Sequence, residues 1–457
     1  MKTLFFLPIA VFAVLPLSGA PVVVPGSVTL SQSQGTRLTT ISYSLEQSPA
    51  IVTVDIQTNR TSLATADDAD WVSIGDEHFC DVNGDVNHLV ETGAMKKVFW
   101  RPDLTWAGER SSAVRAVVTA WSTNAPPPYM VVDLRRDAAR PDASAPRLQY
   151  FTSTNALPFG GLTNDVYRNA YMVMRLVKSQ GRTFKMGSPD DEYAHAYVSA
   201  EAFHFVTFTN ADFYMAVFPT TRGQVMNFGT EYKGDPYGLI DIKLPDGTVL
   251  YQYFNCIGNS NNVPANLYSH VHLRGVADSF SWPANGHAVS DSSLLGLMRA
   301  RTGVAFDLPT EAQWEFACRA GTTSATYNYS GTLTADNIRS IIDEIAWVDF
   351  NSLVDDKRYL PRTGLKKPND WGFYDMCGSL YELCLDYYVD DLGADHVYEP
   401  VGPNSGDARV IRGGCYTYAP PYARSASRSR TNASSITPNI GVRFVCPACL
   451  KWSTTAD

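Results

Sequence analysis

Charge is scarce in these 457 residues: only 18% are Asp, Glu, Lys or Arg, and the net balance is −9. With no Lys/Arg stripe to displace phosphate counterions, nucleic acid is excluded as a partner. Long apolar runs are also missing. Beyond the first twenty residues no window offers the ~18 uninterrupted apolar residues of a membrane span. Internal repeats and low-complexity tracts are absent, which excludes solenoids. What is present is a globular composition: 45% hydrophobic residues, with 24 Tyr, 21 Phe and 9 Trp. The length predicts two or three domains.

The first twenty residues read as a secretory signal. Lys2 supplies the positive end, Leu4 to Leu17 an apolar run broken only by Pro8 and Pro16, and Ser18-Gly19-Ala20 the small residues of a cleavage site. The expected location is therefore secreted, periplasmic or at the cell surface, with no membrane span left after cleavage. Eight cysteines fit such a compartment. Cys80 stands alone in the first third, and the other seven lie between Cys256 and Cys449. The CxxC at Cys446 and Cys449 lacks a second CxxC or His pair to complete a zinc site, so it reads as disulfide staples. At least one pair among Cys256, Cys318, Cys377, Cys384, Cys415, Cys446 and Cys449 is expected within bridging distance, about 7 Å between Cα atoms.

Residues 21–145 hold short β-branched runs, Ser27–Leu30, Ile51–Ile56, Lys97–Trp100 and Val114–Val118, separated by turn-formers. That pattern predicts a small immunoglobulin-like β-sandwich. Asp81-Val82-Asn83-Gly84-Asp85 opens like a calcium loop but lacks the distal Glu, so a tight turn is expected. Residues 146–165 have linker composition. From 166 to 450 the chain turns to many short elements with frequent Gly and Trp. One helix is well signalled: Thr310 and Gln313 form a capping box, and Trp314, Ala317 and Cys318 an inward stripe. Gly321 is its expected C-terminal cap. Another helix is expected from about Asp291 to Arg301. His270-Val271-His272 reads as a strand fragment with two imidazoles on one side, or as exposed loop histidines.

Several segments in order carry a family resemblance. They are Phe184-Lys185-Met186-Gly187-Ser188, the run Asp212–Thr221, Leu308–Arg319 (Leu-Pro-Thr-Glu-Ala-Gln-Trp-Glu-Phe-Ala-Cys-Arg), and Pro368–Met376 around Gly372. The last are Arg409–Gly414, Arg424–Arg428 and Ile440–Arg443. Together they resemble the sulfatase-modifying-factor, or formylglycine-generating-enzyme-like, family, which has a C-type-lectin-like fold. The resemblance implies an α+β chain: the sandwich, then a domain of that family over 166–450. Gly187, Trp314, Gly372, Gly413 and Gly414 would hold its structure.

Family members that make formylglycine use copper(I) held by two cysteines just after the Gly-Gly turn, soft ligands suited to that ion. Here no cysteine lies between Tyr416 and Ile436, and Cys415 is the sole catalytic candidate. Copper is therefore not expected. The resemblance also implies structural calcium near the turn Gly378–Leu383, for which Glu382, Asp375 and Asp386 are the candidate oxygen ligands. Arg424, Arg428 and Arg443 are the candidate binding residues. The resulting expectation is an exported family member that binds a peptide or glycan without the copper pair. Its rivals are an active oxidase with relocated sulfur ligands and a structural surface protein. Two sulfurs converging on one ion in a groove would favour the oxidase.

Overall fold

Alternation along Thr39–Glu46, where every second residue is buried, marks a strand with one wet face, and the chain around it folds into two antiparallel sheets. The computed structural model describes residues 19–59, 70–111, 113–193, 195, 201–234, 239–245, 247, 249–253, 261–275, 281–354 and 357–448. Nearly all of the expected signal segment, together with Cys256 and Cys449, lies outside the described residues. Contacts divide the chain into two units, one running to Ile74 and over Val82–Ser122, the other over Gly75–Asp81 and from Thr123 onward.

In the first unit Thr39–Glu46 pairs with Gly93–Trp100, Thr29–Gln32 and Val22–Val23. Ala50–Asn59 pairs with Val114–Trp121, Trp71–Ser73 and Leu89–Val90. Ile41, Tyr43, Leu45, Val52, Ile56, Val98 and Trp100 are buried between these elements. The four expected strand runs are all present. Where a tight turn was expected over Asp81–Asp85, Asn83-Gly84 instead forms a short strand paired with Phe99 and Val98, and the Asp85 carboxylate accepts the Lys97 amide.

The second unit is built on a five-stranded sheet in the order Leu148–Phe151, Tyr129–Asp133, Tyr171–Val177, Phe213–Ala216, Val445–Pro447. Two of those strands lie in the spans read as sandwich and linker, so the second unit begins earlier than its composition suggests. The reason is local: Tyr129–Asp133 is buried throughout, its Tyr-Met-Val-Val run apolar and its Asp133 paired with Arg135 and Arg140, as a strand inside a sheet requires. The C-terminal strand, Cys446 included, is tied to the core by ladder bonds to Phe213–Met215. A four-stranded sheet has the order Arg428–Thr431, Arg409–Arg412, Tyr381–Tyr387, Ile440–Gly441.

Helices are few, and the whole is mixed α+β with sheets predominating. Glu311–Arg319 starts on the expected Thr310–Gln313 capping box, both reciprocal bonds being present. Its C-cap is Ala320 in the left-handed region, one residue before the Gly321 expected there. Leu294–Thr302 is capped by Ser293 and not by Asp291. His270–Arg274 is a short helix capped by Ser269, not a strand or loop, and His270 is buried. No helix among the described residues is long and apolar enough to cross a membrane.

Candidate functional site

The Glu311–Arg319 helix presents Glu311, Trp314, Glu315 and Arg319 to the interior, all buried. Buried carboxylates require partners, and the C-terminal arginines supply them. Arg428 forks onto Glu311 at 2.5 and 2.8 Å. Arg412 and Arg319 both ion-pair with Glu315, whose second neighbour, the Gly187 amide, donates to it at 2.9 Å. Burial pushes the Glu315 carboxyl up, but the two guanidinia outweigh it and hold it below the usual range. Arg443 grips Glu382 at 2.8 to 3.1 Å, and the Trp314 indole N–H donates to the same carboxylate at 2.7 Å. Arg424 binds Glu201 at 2.8 Å and Glu192 at 2.6 Å.

These contacts correct one expectation. Arg424, Arg428 and Arg443 are each 2% exposed or less and are spent on glutamates, so they frame the core and present nothing to a ligand. The calcium candidates are divided in the same way. Glu382 belongs to Arg443 and Trp314. Asp386 accepts the Glu311 amide at 2.7 Å, and Asp375 accepts the Gly364 amide at 2.6 Å. Burial raises the Asp375 carboxyl to about 6 and that of Asp386 to about 7, the neighbouring Glu382 and Glu311 adding to it. Among the described residues no group of three or more His, Cys, Asp or Glu side chains is placed to hold a metal.

Gly413 and Gly414 turn the chain out of this frame. Both have positive φ, +96° and +75°. A Cβ on Gly413 would stand 2.8 Å from the Met376 carbonyl and 3.1 Å from the Trp314 ring, and one on Gly414 2.6 Å from the Tyr422 carbonyl. Only glycine satisfies both demands. Gly372, in contrast, closes the Asn369–Phe373 turn, where Asn369 donates to the Ala317 and Cys318 carbonyls and so finishes the Glu311–Arg319 helix.

Cys415 follows the turn. Its thiol is buried, contacts the Thr417 hydroxyl at 3.2 Å, and is pushed up to about 11, chiefly by burial. It is protonated at neutral pH, a poor nucleophile and a poor ligand. Three segments are woven around it: the Asp349 amide donates to the Tyr418 carbonyl, Ser379 to Trp347, and Tyr416 to Ser379. Tyr381, Tyr418 and Tyr422 stack edge to face at 5.6 and 5.2 Å, and Tyr418 is 43% exposed. On the same weave the Trp347 indole N–H and one Asp349 carboxylate oxygen are buried without a hydrogen-bond partner. The copper set implied by the resemblance does not fit here, because the turn offers one thiol and a hydroxyl.

Two sulfurs do converge elsewhere. Cys318 and Cys377 lie 4.0 Å apart, both fully buried in the apolar core with Trp314, Ile342 and Phe373. Burial opposes ionisation of Cys318, but Cys377, Arg319 and Arg412 lower it on balance; the hydrogen bond shared with Cys318 raises Cys377. Neither sulfur opens to a groove. The sequence signal for this pair was present as two cysteines in family motifs 59 positions apart, but nothing in their spacing paired them. The tyrosine face of Tyr381, Tyr418 and Tyr422 was likewise missed, since the stretch after Cys415 was weighed for cysteines alone.

The comparisons agree with this frame. Residues 164–448 match the "Sulfatase-modifying factor enzyme 1-like domain" family. The formylglycine-generating enzyme of Streptomyces coelicolor is 31% identical over 155 residues, 33% of this chain and 49% of that protein. The serine/threonine-protein kinase pkn1 of Chlamydia pneumoniae is 32% identical over 139 residues, 30% of this chain and 20% of that protein. The chain thus spans half or less of the curated relatives it matches. PvdO from Pseudomonas aeruginosa superposes with a TM-score of 0.44 at 21% identity, over 60% of this chain and 94% of that one. With a match across well over half its length, carried by the helix, turn and arginine motifs described above, the chain belongs to the sulfatase-modifying factor enzyme 1-like family.

Proposed function

We propose that this protein is an exported, diverged family member that binds a peptide or glycan at the tyrosine face beside the Gly413-Gly414 turn. In this reading it does not carry out copper-dependent formylglycine formation. The observation that carries it is Cys415: one buried thiol, held protonated, with the Thr417 hydroxyl as its side-chain hydrogen-bond partner. Copper(I) needs two converging thiolates. The unfilled Trp347 donor and Asp349 acceptor support ligand recognition by the same face. The first unit, with its two antiparallel sheets, fits an immunoglobulin-like sandwich as a spacer or recognition module. Structural calcium on Glu382, Asp375 and Asp386 is left without support, since Glu382 already has a cation.

Export adds a covalent element. In an oxidising compartment Cys318 and Cys377 form a disulfide before the core closes over them, both thiols losing a proton and an electron to a disulfide donor of the thiol oxidoreductase class, which leaves as a dithiol. The sulfurs need close by only about 2 Å to reach bonding distance. An active oxidase is the rival reading, since two sulfurs do converge; their complete burial denies a substrate peptide access.

The deciding experiment loads purified protein with copper(I) under reducing conditions and presents a peptide carrying Cys-x-Pro-x-Arg. Mass spectrometry should find no conversion of that cysteine to the aldehyde. Turnover abolished by Cys415→Ser or by Cys318→Ser would overturn the proposal and identify the sulfur that supports the chemistry.

A further inference from the structure

On a different part of the second unit, a groove of about 610 Å³ is lined by Arg175, Arg182, Lys185, Phe184, Phe316 and Trp371, with Lys178 and Arg319 at its margins. It contains five cations and no carboxylate, in a chain whose net charge is −9. Two of the five are paired with carboxylates, Lys178 with Asp212 at 3.0 Å and Arg319 with Glu315 at 2.8 Å, and Arg175 donates to the Tyr129 hydroxyl and lies over its ring. Arg182 and Lys185 are exposed, and among the described residues neither has a carboxylate partner. Lys185 instead lies over the rings of Phe203 and Phe205, which are 39% and 43% exposed.

The backbone adds a second observation. The strand Thr183–Met186 is outermost in its three-stranded sheet and, among the described residues, pairs only with His204–Thr207. Arg182, Thr183, Phe184 and Lys185 all line the groove in succession. The groove is thus walled in part by a strand with a free edge, whose outward amides and carbonyls can accept another strand.

We propose that this groove binds an extended, acidic peptide segment, which adds as a strand to the Thr183–Met186 edge. Main-chain bonds along the edge would set its register. Carboxylates on one side of the added strand would meet Arg175, Arg182 and Lys185, while an apolar residue would sit over Phe184, Phe316 and Trp371. A saccharide could use the cations but not the row of backbone groups, which is why a peptide is favoured. The site shares no residue with the tyrosine face and stands whether or not that reading holds.

Fluorescence anisotropy on the full chain tests it, using a labelled heptapeptide that alternates glutamate with valine around a central phenylalanine. Binding is expected, weakened at least tenfold when lysine replaces each glutamate and again when alternate amides are N-methylated. The double variant Arg182→Glu, Lys185→Glu should lose at least tenfold in affinity while its thermal melt is unchanged, both side chains being exposed; Arg182→Gln alone should lose less. Absence of binding, equal binding by the double variant, equal binding by the N-methylated probe, or displacement of the probe by a sulfated oligosaccharide that binds more tightly would each overturn the proposal.

Discussion

Two cysteine environments lie in the same domain and behave in opposite ways. Cys318 and Cys377 sit in a core where every neighbouring charge is matched, Arg319 and Arg412 to Glu315, so that a second sulfur is held at 4.0 Å by a rigid surround. Cys415 sits just past Gly414, where the frame ends, the neighbours are tyrosines, and a donor and an acceptor stand open. The contrast separates the part of the domain that holds shape from the part free to change its chemistry. Charges buried in pairs cannot be altered singly, because removing one strands the other. A turn carrying hydroxyls, rings and one neutral thiol bears no such constraint.

The comparison breaks most severely if the frame itself is opened. Glu382→Ala leaves Arg443 buried without its partner and takes the acceptor from the Trp314 indole. A loss of about 3–5 kcal/mol in denaturant unfolding is expected; a loss below about 1 kcal/mol would show that the pairing is not what holds the core.

Oxidation sharpens the same contrast. The Cys318–Cys377 cross-link would close a loop of 59 residues, for which chain-entropy reasoning gives about 4 kcal/mol, with 2–4 kcal/mol typical. Unfolding midpoints of oxidised and reduced protein should differ by that amount. Mass spectrometry after alkylation should show Cys318 and Cys377 protected while Cys415 stays alkylatable once the chain is unfolded. Full alkylation of Cys318 in oxidised protein would remove the cross-link from the account.

pH probes the frame more gently. Asp386 is raised to about 7 from an ordinary 3.8, by burial first and by Glu311 second. A carboxyl whose folded pKa is raised binds its proton more tightly in the native state. Its contribution is therefore full below about pH 4 and is lost as pH climbs toward 7. In Asp386→Asn, whose amide oxygen can still accept the Glu311 amide, stability relative to the unsubstituted protein should rise between pH 4 and pH 7 by about 1–3 kcal/mol. A flat difference across that range would mean Asp386 does not titrate there.

The smallest effect is expected at the turn. Cys415→Ser removes a neutral thiol beside Thr417 and should change stability by about 1 kcal/mol or less, with copper content of the purified protein unaltered. A large drop in either would place Cys415 with the core sulfurs and erase the distinction between the two regions.

The family and the helix were legible from residues alone. Thr310 with Gln313 forms a local capping box, and the Trp314 stripe follows the helical period, so neighbouring positions decide both. Gly413 and Gly414 could be flagged for the same reason, a turn being short-range. The four strand runs of the first unit came from β-branched clusters. The earlier start of the second unit did not, because Tyr129–Asp133 declares its sheet only through partners at Leu148–Phe151 and Tyr171–Val177.

What tertiary structure alone decided is the role of each charge and each sulfur. Arg424, Arg428 and Arg443 were recognisable as a block, yet their glutamates lie 223, 117 and 61 positions away, so only folding shows them spent inside the core. Glu382 was readable as a cation ligand, and its cation proved to be a guanidinium. Cys318 finds Cys377 because helix and turn pack together, and Cys415 stays alone because no second sulfur reaches it among the described residues. Local sequence sets the elements and their caps. Pairing between distant groups depends on desolvation and geometry that exist only when the elements are packed.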